Sequence, residues 1–452
     1  MPSKGTMFSH VSSPSDPDRL RSGVLRHLAQ FSHGVFLDSN TAANGPIPVT
    51  GITYDWIAAA GASEIFYAAK EPFLELNAFL KRQQAAGNWV FGHVCYDFKN
   101  EIEKLHSHHH PAMNYATLQF FVPEQLLIMK QGQLTIYSQT NNIAEILQAI
   151  QTSENQISSN QTSLRLVQLP SRDAYLKTIG TILHHISRGD IYEMNYCHQV
   201  TAEGTIDPIY IYEKLVTESP NPFAAFYKSD NKFLLCASPE RYLKKSGNTV
   251  LSQPIKGTAA RDADPVQDAL NKNHLAKSEK ERAENVMIVD LVRNDLSKHA
   301  LPGSVKVDEL FGVYTFRKVH QLISTVSCKV DKGTSFADLL QATFPMGSMT
   351  GAPKVRAMQI IEEAENFKRE LYSGTIGYIS PEGDFDFNVV IRSIFYDADA
   401  HKIYLAAGGA ITAASIPEKE FEETLIKLAP QLKVLNIPLS AIFSTEKEGR
   451  HA

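Results

Sequence analysis

The 452-residue chain has only four cysteines, Cys95, Cys197, Cys236 and Cys328, and no two of them form a C-x-x-C pair. That spacing offers neither a disulfide framework nor zinc ligands, and in apolar strand-like surroundings a free thiol behaves as a small hydrophobe. A reducing, cytoplasmic setting is the expectation. No apolar run reaches the roughly 18 residues a membrane span needs, so no membrane is expected as a partner. Basic residues are not in excess: 44 Lys and Arg face 49 Asp and Glu, leaving a net charge of -5. That balance argues against a nucleic-acid partner, which calls for a basic stripe. There is no G-x-G-x-x-G or P-loop to carry a nucleotide, and no repeat of fixed period. The first 18 residues are rich in Ser and Pro and have no secretory h-region.

What is present suits a large soluble enzyme, with 43% hydrophobic residues. Residues 1–20 are expected to form a flexible leader, 21–150 an N-terminal part, 151–163 a polar linker, 164–435 the catalytic region and 436–452 a tail. Strand signals lie at Lys232–Ala237, Thr375–Ile379, Phe385–Tyr396 and Lys402–Ala407. Helical periodicity marks Asp173–Ser187, Glu281–Leu296, Pro353–Phe367 and Pro417–Leu428. The irregular alternation, with strand pairs late in the chain, predicts an α+β fold of antiparallel sheets with outer helices.

Two helices carry carboxylates at matching spacings, Glu281 with Glu284 and Glu420 with Glu423, the second followed by Lys427. Residues three, four and seven apart share a helix face. Such hard oxygen donors suit Mg²⁺, although on each helix alone a solvated charged face is the stronger reading. Glu284 leads into the apolar run 286–292, which weighs against the solvated reading. Arg392 interrupts an otherwise apolar strand, and a buried guanidinium needs an anion, either an internal carboxylate or a ligand. Gly408-Gly409 after a strand, and the segment Phe344–Lys354 with Ser348 and a helix start capped by Thr350, offer backbone N–H groups to an anion. Glu240 follows an apolar strand; standing alone it reads as an exposed turn residue paired with Arg241, whereas burial would hold its carboxyl protonated and able to act as an acid. Lys256, in Pro254-Ile255-Lys256-Gly257-Thr258, is a nucleophile only if its amine is deprotonated. His320 precedes an apolar pair, and as a lone histidine it reads as structural. His106–His110 has no zinc-site framework and reads as a surface loop.

Together these motifs resemble the chorismate-utilising enzymes. The resemblance covers about 164–435 and rests on Ser238-Pro239-Glu240-Arg241, 254–258, Ala283-Glu284-Asn285 with 289–295, Gly347–Met358 and the Glu420/Glu423/Lys427 helix. It implies one large fold of layered antiparallel sheets ringed by helices, with intertwined halves. It further implies that Glu284 and Glu423 ligate Mg²⁺, with Glu281 and Glu420 holding metal-bound water or supporting contacts. Gly257, Thr258, Ser348, Tyr372, Arg392, Gly409 and Lys427 would bind chorismate. Glu240 would be the general acid, and Lys256 and His320 would complete the catalytic set. Lysine in the pentapeptide resembles the aminodeoxychorismate synthase branch, where anthranilate synthases carry alanine. The water-using branch carries a lysine base where this chain has Glu193, and the aminodeoxychorismate branch usually has glutamine there. No glutaminase signature is present, so the resemblance implies ammonia from a separate glutamine amidotransferase. The competing readings are an anthranilate synthase component I and a catalytically silent binding protein of the same fold, against which the intact charged set speaks.

Overall fold

The strand Lys232–Ser238 shows how the architecture arises. Leu234 and Cys236 enter one hydrophobic core, and Leu235 and Ala237 enter another. Successive side chains of a strand point to opposite faces, so an unbroken apolar run belongs to a strand covered on both sides. The first core joins two sheets, with Leu234 from one and Leu243 and Phe387 from the other. The second packs the larger sheet against helices through Leu25, Ile182, Leu215 and Leu425. The expected α+β sandwich with outer helices is the observed fold.

The computed structural model describes residues 8–14, 16–41, 49, 51–153, 164–168 and 171–442. Among them one sheet has twelve strands and the other ten. Segments far apart in sequence pair directly in both. His33–Asp38 lies antiparallel to Phe223–Ser229, and Val90–Val94 to Thr375–Ile379. No helix among the described residues is long and apolar enough to cross a membrane.

Two chain crossings between the sheets matter most for the site. The chain leaves the larger sheet after Lys232–Ser238 and enters the smaller one at Arg241–Ser246. It returns between Phe385–Asn388 and Ser393–Asp397. The crossings lie side by side: the Val389 N–H donates to the Glu240 carbonyl at 3.0 Å, and the Ala237 N–H to the Arg392 carbonyl at 3.2 Å. Glu240 and Arg392 are therefore neighbours by backbone construction.

Several expectations are corrected. The single strand expected over Phe385–Tyr396 is two strands, because Arg392 adopts φ 54° where the chain changes sheets. The strand expected to stop at Ala407 runs from Lys402 to Thr412. Gly408 stays in its ladder opposite Cys197, where a Cβ would lie 2.4 Å from Cys197 Sγ. The helix after the Phe344–Lys354 segment is capped at Pro353, while the Thr350 hydroxyl turns back to the Met346 and Gly347 carbonyls. The leader is partly ordered: Phe8–Ser12 pairs with Gln133–Ser138, and a helix capped by Asp16 begins at Pro17. Residues 151–153 of the expected linker close the helix Ile143–Ser153, and 154–163 lie outside the described residues. In the expected tail Ile437 is buried and Leu439–Ile442 forms a short turn of helix, while 443–452 lie outside the described residues.

Candidate active site

Lys256 stands on the strand Ile255–Ala260, at an irregularity in its pairing with Val319–Lys329 between Ile255 and Thr258. Bulges of this kind re-aim a side chain. Gly257 adopts φ 83°, and a Cβ there would meet Glu281 Oε2 at 2.8 Å, so only glycine fits without displacement. The Lys256 side chain is buried and its Nζ donates to Glu193 Oε1 at 2.9 Å. Glu193 is 2% exposed, and its Oε2 finds no hydrogen-bond partner among the described residues.

The electrostatics differ from what a free nucleophile needs. Burial pulls the Lys256 amine down, but Glu193, Glu284 and Glu240 outweigh it and hold the amine above its ordinary range. Lys256 is an ammonium at rest. Burial pushes Glu240 up to about 7, against the opposing pull of Ser348 and Lys256. Half of this carboxyl is therefore protonated near neutrality, as a general acid requires. The Ser348 hydroxyl lies near Glu240 yet has no partner at hydrogen-bonding geometry, while the Ser348 carbonyl accepts from Asn195 Nδ2 at 2.9 Å.

Arg392 is half-buried, and its guanidinium meets no carboxylate within ion-pair distance among the described residues. Burial lowers its pKa against the raising influence of Tyr372 and Glu423. It lines a cavity with Thr258, Pro239 and Gln321. Tyr372 is buried, with its hydroxyl 3.8 Å from Cys197 Sγ. The wall behind it is braced by the buried Arg369–Glu365 pair, whose guanidinium donates to the Met349 and Asn195 carbonyls at 2.7 and 2.9 Å.

The four expected metal ligands come from two helices, Glu279–Ser297 and Pro417–Val434. Gly409 faces the second: a Cβ there would lie 3.5 Å from Glu420 Oε2 and 3.8 Å from Lys427 Nζ. Lys427 donates to Glu423 Oε1 and to the Gly408 carbonyl, each at 2.8 Å. Lys280 bridges the helices, with Nζ 3.1 Å from Glu420 Oε1 and 3.8 Å from Glu284 Oε1. Burial pushes Glu284 up to about 7, and its Oε1 has no hydrogen-bond partner among the described residues. No three acidic, His or Cys side chains among the described residues form a closed cage. Mg²⁺ takes only one or two protein carboxylates and fills its shell with water and substrate oxygens, so an all-oxygen donor set with a buried orphan oxygen fits it.

His320 is placed differently. It is 1% exposed, with Nε2 2.9 Å from Asp268 Oδ1 and Nδ1 3.0 Å from Thr315 Oγ1. Both ring nitrogens have protein partners, and neither is Lys256 or Glu240. His106–His110 packs beside the helix Lys354–Ala364, where the His108 N–H donates to Glu362 Oε1 at 2.7 Å. Sequence reasoning left Lys280 out, although its i, i+4 spacing to Glu284 was a visible signal. It singled out Glu193 without placing it against Lys256, since 63 residues separate the two.

A family model described as chorismate binding enzyme matches residues 35–433. The chain belongs to the chorismate binding enzyme family. It is 43% identical over 258 residues to a Klebsiella aerogenes protein named aminodeoxychorismate synthase component 1, covering 57% of each chain. It is 32% identical over 364 residues to anthranilate synthase component 1 of Saccharolobus solfataricus, covering 79% of this chain and 84% of that protein. The matched stretch spans between 30% and 58% of the length of the curated aminodeoxychorismate synthases. The solved structure of anthranilate synthase component I from Streptococcus pneumoniae superposes with a TM-score of 0.73 at 24% identity, covering 86% of this chain and 94% of that one, which establishes the shared fold.

Proposed function

We propose that this chain is the chorismate-binding component of an aminodeoxychorismate synthase, forming 4-amino-4-deoxychorismate from chorismate and ammonia. The observation that carries the reading is Lys256, buried and ion-paired beside Glu240, Glu284 and Glu193. The relatives named aminodeoxychorismate synthase component 1 support it, and the words "component 1" favour a second subunit. That partner would be a glutamine amidotransferase delivering ammonia. Four free, buried cysteines favour a reducing cytoplasm.

The chemistry follows from the residues. The Lys256 ammonium hands a proton to Glu193, 2.9 Å away, and becomes a neutral amine. The amine attacks ring C2 while the C4–O bond breaks, and Glu240 gives its proton to the departing hydroxyl, which leaves as water. Ammonia then adds at C4 and expels the lysine as a neutral amine. The new C4 ammonium returns a proton to Glu240, and Glu193 returns its proton to Lys256. Arg392, Thr258 and Tyr372 orient the substrate's anionic and ring groups. Glu284 and Glu423, with Glu281 and Glu420 in support, would hold Mg²⁺, which when bound supplies positive charge against a substrate carboxylate.

A second reading, anthranilate synthase component I, draws on the Saccharolobus relative, which matches more of the chain. Purified protein with chorismate, Mg²⁺ and an ammonium salt separates the two by chromatography of the products. The proposal expects aminodeoxychorismate. Fluorescent anthranilate as the main product contradicts it, and no turnover with an amidotransferase added favours a silent binding protein.

A further inference from the structure

The two carboxylate helices already hold a cation. Lys280 sits in the first turn of Glu279–Ser297, and its 38% exposed side chain crosses to the neighbouring helix. There it meets Glu420, whose side chain is 2% exposed, while staying 3.8 Å from Glu284, 8% exposed. The other lysines near the site are engaged elsewhere: Lys427 serves Glu423 and the Gly408 carbonyl, and Lys256, whose charge also reaches Glu284, is paired with Glu193. Carboxylates buried this deeply and drawn from two helices repel one another unless a positive charge compensates them.

We propose that Lys280 is the resident counter-cation of this site, filling the gap between Glu284 and Glu420 in the metal-free protein and leaving it when Mg²⁺ binds. The inference rests on the Mg²⁺ reading of these carboxylates. Three features support the exchange. The lysine stem starts at the surface, so departure needs only side-chain rotation. Its head lies farther from Glu284 than a hydrogen bond, leaving Glu284 Oε1 without a hydrogen-bond partner among the described residues and open to a ligand. The lysine head stands beside Glu284 Oε1, an oxygen the metal would take, and two cations cannot crowd that carboxylate together, so the lysine and the metal compete. Lys280 thereby keeps the empty site stable and holds Mg²⁺ affinity below what the carboxylates alone would give.

Calorimetric titration with MgCl₂ at constant ionic strength tests this on the whole chain, comparing wild type, Lys280→Met and Lys280→Arg. Loss of the competing charge should tighten Mg²⁺ binding about tenfold or more in Lys280→Met. The Arg variant keeps the charge and should stay near wild type. Without metal, Lys280→Met should melt below wild type and gain more from added Mg²⁺. Mg²⁺ binding by Lys280→Met that is equal to wild type or weaker overturns the exchange. A wild-type chain that takes up no Mg²⁺, with Glu284→Gln giving the same trace, removes the metal reading and the exchange with it.

Discussion

Lys256 Nζ lies 2.9 Å from Glu193 Oε1, and both side chains are buried. The pair joins the strand Glu193–Glu203 of the larger sheet to the strand Ile255–Ala260 of the smaller one. Under the proposed mechanism the amine is thus stored as an ammonium beside the group that would take its proton.

Lys256→Ala should lower aminodeoxychorismate formation by roughly 10³-fold or more, since it removes the reacting atom itself. It also strands a buried carboxylate, which should cost about 3 kcal/mol of stability. Circular dichroism and a denaturant titration check the fold separately from the rate. An unchanged rate would refute the covalent role.

Glu193→Gln should shift the pH profile. Burial lowers the Lys256 amine and its carboxylate neighbours raise it, with Glu193 the strongest of them. Without Glu193 no neighbouring carboxylate takes the proton, so only amine that is already neutral can attack, and the acidic limb of kcat/KM should move toward alkali. A limb that stays in place, or moves toward acid, contradicts the pairing.

Glu240 should give the opposite limb. Its carboxyl, raised to about 7 by burial, is protonated below that pH and loses its proton above it. Activity dependent on its acid form should therefore fall as pH rises through about 7. Glu240→Gln should flatten that limb and reduce kcat by roughly 10²-fold or more.

Arg392→Lys should raise the KM for chorismate about tenfold or more, because an ammonium cannot reproduce the planar fork of a guanidinium. Equal KM values in wild type and variant would exclude Arg392 from substrate binding.

How far the sequence disclosed all this depends on distance along the chain. The strand Thr375–Ile379 was legible to the residue, because it lies wholly within one sheet. The Phe385–Tyr396 run was not, because apolar periodicity carries no mark of a sheet change and the left-handed backbone at Arg392 does not show in residue type. Glu281, Glu284, Glu420 and Glu423 were visible through local helical spacing, which needs no tertiary knowledge. The charge state of Lys256 was hidden, since the carboxylates that set it come from positions 193, 240 and 284. His320 was ambiguous for the same reason: its partner Asp268 lies 52 residues away.

The central claim is that Lys256 becomes covalently attached to the substrate, and peptide mass spectrometry tests it most directly. Protein mixed with chorismate and Mg²⁺ without ammonia, then acid-quenched and digested, should carry an adduct on the Lys256 peptide. Its mass should equal chorismate less one water, it should disappear when ammonium is added before the quench, and it should be absent from Lys256→Ala. An unmodified Lys256 peptide in protein that goes on to form aminodeoxychorismate with ammonium would contradict the account.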